Sequence, residues 1–159
     1  MFGKEYKLIV KVDYKYFVKL NNDSIEIHTS TNTKKQVESI LYDFYLHQLI
    51  EYINSIYSEA IRDFIDVKKL YYFNDSPLIK YSKVKTYFGK CYPKRNLIVL
   101  NVLLAKYDKI YIKSVLYHEL CHYSYLDHQA GFYKLYESKF KNARKIQHEL
   151  KQIKYNDLL

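Results

Sequence analysis

The sequence predicts an α+β fold, and three observations carry that prediction. Strict period-two alternation runs near the N-terminus, a long stretch of helical spacing follows it, and a second helical region comes after two short strand-like pieces. From Tyr6 to Leu20 every even position is apolar, while Lys7, Lys11, Lys15 and Lys19 take odd positions, which predicts a strand with one buried face. Asn21-Asn22-Asp23 is turn chemistry, and Ser24–Thr29 alternates again, so the two form a hairpin. Thr33 followed by Gln36 reads as a capping box. Val37, Ile40, Leu41, Phe44, Ile50, Ile53, Tyr57, Ile61 and Phe64 then trace one face of a long helix. Asn74-Asp75-Ser76-Pro77 breaks the chain, and strand-like pieces follow at roughly 78–88 and 96–101. A helix is expected to start at Asp108, a good N-cap, and to run through the histidines that follow. Helical spacing returns at Phe132, Leu135, Tyr136, Phe140, Ala143, Ile146, Leu150 and Ile153. The expected picture is a small sheet flanked by helices.

Composition narrows the function classes. A chain of 159 residues that is 48% hydrophobic, with three Gly and two Pro, suits one compact domain able to bury a core. No run of about 18 apolar residues is present, which argues against a membrane span. The N-terminus MFGKEYKLIVKV carries charges where a signal peptide needs an apolar run. Cys91 and Cys121 make no disulfide framework, so reduced thiols in the cytoplasm are the expectation, with a monomer as the default. Lys plus Arg number 26 against 17 Asp plus Glu, a formal +9, which favours polyanions such as nucleic acid through long-range attraction. The competing explanation is a composition rich in Lys, Tyr, Ile and Asn throughout, in which lysine accumulates with no ligand behind it.

Residues 117–128, YHELCHYSYLDH, hold the chemistry. His118 and His122 are four apart, so on a helix both imidazoles project from one face, as a single Zn2+ requires. Glu119 sits beside that face, and its carboxylate can take a proton from water that zinc has made acidic. An unbroken helix would carry His128 about 9 Å further along the axis from His122. The chain must therefore turn between Tyr123 and His128, and Asp127 is the expected break, since Asp tolerates the left-handed conformation that ends helices. His28, His47 and His148 have no such company and are read as structural or solvent-facing. Cys121 projects away from the histidine face, as a buried thiol.

Three segments resemble the YgjP-like zinc metallopeptidases, with the SprT-like proteases as near relatives. They are HELCHYSYLDH; His128 followed by Phe132 and Tyr133; and Phe88-Gly89-Lys90-Cys91 followed by NLIVLN. The third is similar to the family's Trp-Gly-Ser-Cys and the strand after it, with Phe88 in place of the tryptophan and Lys90 in place of the serine. The resemblance implies a single zincin-like domain over 1–159, with a hairpin and helix at about 5–66 and a catalytic part at about 78–155. It implies a zinc-dependent peptidase in which His118, His122 and His128 bind Zn2+ and Glu119 is the general base. It also implies that NLIVLN is an edge strand beside the cleft, open to a substrate backbone. A glutamate on the following helix, Glu137 or Glu149, is the rival third ligand. Tyr123, Tyr125, Tyr133, Arg95 and Arg144 are all candidates to stabilise an oxyanion. The expected partner is a protein or peptide substrate. The SprT-like relatives suggest a protease acting on DNA-bound proteins, and a non-catalytic zinc-containing binding module is the reading from another class.

Overall fold

A computed structural model describes residues 1–71, 75–84 and 86–152. Its elements run β1 (Lys7–Val12), β2 (Phe17–Leu20), β3 (Ser24–Thr29), α1 (Lys34–Asp63), β4 (Leu78–Ser82), β5 (Gly89–Tyr92), β6 (Leu97–Asn101), α2 (Lys109–Cys121), α3 (Ala130–Lys139) and α4 (Ala143–Gln152). The α+β class is as expected, but the strands form two three-stranded sheets rather than one.

The first sheet has the order β1-β3-β2. The 6–20 alternation is not one strand. Asp13–Tyr16 carries the chain across the end of β3, so β1 pairs with β3 in parallel and only β2 and β3 form the hairpin. The turn closes through Asn21 N–H donating to Ser24 O at 2.9 Å. Nor is the even face uniformly buried, since Val12 is 65% exposed and Tyr14 91%. The cluster beneath the sheet is small, Ile25 and Ile27 of β3 against Ile40 of α1, so one helix covers the central strand and leaves its neighbours half open.

Helix α1 begins where the sequence predicts, with Thr33 Oγ1 accepting from Gln36 N–H at 3.4 Å. It buries Ile40, Leu49, Ile53 and Ala60. Helix α2 starts at Asp108, whose Oδ1 accepts from Ile110 N–H at 3.0 Å. The C-terminal helical region divides in two, because Asn142 takes a left-handed φ of 61° between α3 and α4. Ile153 lies outside the described residues.

The second sheet has the order β4-β6-β5, so NLIVLN is its central strand and not an edge. Ile98 and Leu100 are fully buried, as a central strand packed against helices requires. The edge that faces α2 is β5, a strand only four residues long. Asn101, buried at the end of β6, holds the chain entering β5. Its side-chain amide donates to Val84 O at 2.7 Å and Tyr87 O at 2.9 Å, while its Oδ1 accepts from Leu103 N–H.

Candidate metal centre

Helix α2 ends at Cys121, and His122 caps it with φ −66° and ψ −14°. The break therefore comes well before Asp127, which is absent from the positive-φ residues of the described chain. No left-handed residue is needed, because tight backbone bonds close the turn: Tyr123 N–H to Leu120 O, then Ser124 and Tyr125 N–H both to Cys121 O. Asp127 instead accepts from the Gln129 side chain at 2.8 Å. The turn returns His128 to the helix, with its Nε2 2.9 Å from His118 Nε2.

His118, His122 and His128 present one ligand nitrogen each, all within 4.8 Å of one another, and they form the one such group among the described residues. Three imidazoles converging at this spacing suit a divalent transition metal, since N-ligand distances of about 2.0–2.1 Å place ligands of one ion roughly 3–4 Å apart. Phe132, fully buried on α3, forms the floor. Its ring centroid is 4.8 Å from that of His118, 4.9 Å from His122 and 4.7 Å from His128, so one side chain packs against all three ligands. His122 Nδ1–H donates to Tyr125 O at 2.9 Å, which leaves Nε2 with its lone pair. Gln147 on α4 places its amide 3.3 Å from His118 Nδ1. Burial first, then the neighbouring histidines, pushes His118 down to about 3, so it stays neutral. Burial also lowers His122 and His128. Neutral imidazoles are the form a metal needs.

Glu119 is 4% exposed. Burial pushes its carboxyl up to about 8, against the lowering effect of a hydrogen bond from the Cys91 backbone. Gly89 and Glu119 both line the recess beside the histidines, with Lys90, Pro93 and Leu126 as its outer wall.

The rival ligands are placed elsewhere. Glu137 pairs with Arg144 at 3.3 Å, and Glu149 accepts from Tyr111 O–H at 3.2 Å. Of the five oxyanion candidates, the structure brings Tyr133 and Arg144 together. Tyr123 is buried and donates to Asn96 Oδ1 at 3.2 Å, Arg95 lies over Tyr92, Arg144 stacks on Tyr133, and Tyr125 packs over Gly131. None of them lines the recess at the metal face. Of the remaining histidines, His28 bonds to Asp13 and Glu26, and His47 pairs with Glu51 on α1. His148 receives the Gln152 amide. Cys121 is a fully buried free thiol. Spacing alone did not reveal Phe132 as a common floor or Gln147 as a neighbour of His118. Both come from helices whose approach to α2 depends on tertiary packing.

A histidine triad on a helix and the turn after it, with a buried glutamate between the first two, could hold a metal ion beside a carboxylate. The chain belongs to the YgjP-like family: the model of the YgjP-like metallopeptidase domain matches residues 1–153. Comparisons with curated proteins and with solved structures find no match. No helix among the described residues is long and apolar enough to cross a membrane.

Proposed function

We propose that this protein is a zinc-dependent peptidase in which His118, His122 and His128 hold the metal and Glu119 is the general base. The observation that carries this reading is the convergence of three imidazoles beside a buried carboxylate that is not one of their group. When bound, zinc would supply a Lewis acid for the scissile carbonyl and make water acidic enough to be activated near neutral pH. The chain's own residues do the rest. Tyr125 O fixes the His122 tautomer. Gln147 does the same for His118 once its amide is turned to present oxygen to Nδ1–H, an orientation related by a simple flip. Glu119, buried beside the histidines, takes the proton from water and passes it to the leaving amine. The outer strand β5, whose Lys90 and Cys91 line the recess, is the natural place for a substrate backbone to pair, in the role the resemblance gave to β6. Zinc analysis together with cleavage of an unfolded protein, before and after chelation and zinc add-back, tests the reading. A zinc-loaded protein that cleaves nothing would favour the non-catalytic binding module.

A second reading, a peptidase acting on proteins bound to single-stranded DNA, has one observation in its favour. Lys4, Lys83 and Lys106 lie 5.2–5.8 Å from the rings of Tyr6, Tyr42 and Tyr45, combining cations with stacking surfaces on one side of α1. Anisotropy of a labelled oligothymidine tests it: Lys83→Gln with Tyr42→Ala should weaken binding and flatten its salt dependence.

A further inference from the structure

Beside the metal-side recess, a second cavity of about 130 Å3 is lined in part by His118 and Glu119. Its walls are Phe88, Val115, Tyr136 and Leu150, with Lys151 among the residues that line it. The polar atoms in these walls are already engaged. Tyr136 O–H donates to Ser114 O at 3.0 Å, Ser114 Oγ–H bonds back to the Tyr136 hydroxyl, and the Gln147 amide lies against His118. Apart from Glu119 and Lys151, a ligand group entering the cavity therefore meets mainly carbon. The volume is well above the roughly 10–15 Å3 that one water needs, so a side chain of several heavy atoms fits. Both recesses share His118, Glu119 and Gly89, and Glu119 is the one acid lining either of them. Lys90 is among the lining residues of one recess and Lys151 of the other.

We propose that this cavity is the specificity pocket for the substrate residue adjoining the scissile bond, and that it selects a medium-sized apolar side chain with an acidic residue near Lys151. The proposal rests on the peptidase reading and names its substrate class. A dry pocket discriminates by methylene count, with about 10–200-fold per methylene as the measured range. An acidic neighbour gains from Lys151, whereas a charged group inside the pocket would be buried without a partner.

Binding and turnover test it separately. Zinc-loaded protein is titrated calorimetrically with hydroxamates that differ only in an isobutyl, benzyl, methyl or carboxymethyl side chain. The isobutyl compound should bind at least about tenfold tighter than the methyl. Val115→Ala, which widens the pocket on a helix that tolerates alanine, should shift the ranking toward benzyl. Equal affinities, or carboxymethyl binding best, would overturn the proposal. Quenched peptides varied beside the scissile bond give the second arm, with Lys151→Glu expected to reverse the acidic preference at the neighbouring position. Turnover indifferent to side chain keeps the peptidase reading and removes the pocket. No turnover, with the hydroxamate ranking intact, removes the peptidase reading and retains the pocket as a ligand subsite.

Discussion

Gly89 on β5 lies so close to Glu119 on α2 that a Cβ at Gly89 would stand 2.6 Å from Glu119 Oε1 and 2.7 Å from Val115 Cγ1. The edge strand packs closely against side chains of the histidine-bearing helix, with the buried carboxylate between them. Gly89→Ala is expected to cost about 1–3 kcal/mol by overpacking and to displace the carboxylate. Urea unfolding and peptidase activity should both register it. Gly131→Ala is the control. Its Cβ would come as close, 2.6 Å, to the ring of Tyr125, which is 41% exposed and free to yield. Equal stability losses in the two variants would mean that the Gly89 contact is as soft as the Gly131 one.

Glu119→Gln keeps shape and hydrogen-bonding capacity while removing the base. It is expected to fold, to retain metal, and to lose about 10²–10⁴ in rate. Metal analysis alongside turnover checks both parts. Unchanged turnover would remove Glu119 from the mechanism.

His128→Ala should release most of a complement of about one zinc per chain, because two ligands do not hold the ion tightly. Glu137→Ala and Glu149→Ala should retain it, since their carboxylates are engaged with Arg144 and Tyr111. Metal content after gel filtration distinguishes them, and the reverse pattern would make a glutamate the third ligand.

His28 bridges Glu26 at 2.6 Å and Asp13 at 3.1 Å, with Phe17 stacked on its ring at 4.0 Å and Lys11 bonded to Glu26. The hydrogen bond to Glu26, then that to Asp13, raises His28 above its ordinary 6.5. Bonds from Lys11 and then His28 pull Glu26 down to about 2, and the bond from His28 lowers Asp13. A raised histidine stabilises fully below its unfolded value and loses that contribution as pH rises through its folded value. The lowered acids contribute above their unfolded values and lose it on acidification. The network should therefore be strongest between about pH 4.5 and 6.5. The Tm gap between the parent and His28→Gln should shrink as pH rises from 6 to 9, and a constant gap would show that the charge on His28 contributes nothing.

Cys91 and Cys121 are free, and burial pushes both thiols up. Native protein should react slowly with an alkylating reagent, and denaturation without reductant should reveal two thiols. Fast native labelling at Cys121 would contradict its complete burial.

Local patterns carried much of this molecule. The helix that begins at Asp108, the Thr33 cap and the i,i+4 placement of His118 and His122 follow from short-range sterics and hydrogen bonding, so twelve residues of sequence were enough to pick out the centre. The 6–20 alternation was misleading because period two reports which residues share a face. It does not report whether a helix covers that face, and α1 reaches only the middle of the sheet. Strand order was equally invisible. An apolar LIVLN reads the same whether central or at an edge, and only pairing with both β4 and β5 placed it in the middle. The return of His128 to His118, the Phe132 floor, the Gln147 contact and the Gly89 clamp join residues from α2, α3, α4 and β5. Sequence by itself determined the residue types at the candidate centre and their local spacing. Tertiary packing decided which of them meet, because the approach of separate elements is set by burying their apolar faces together, a sum over many contacts that no single stretch of sequence contains.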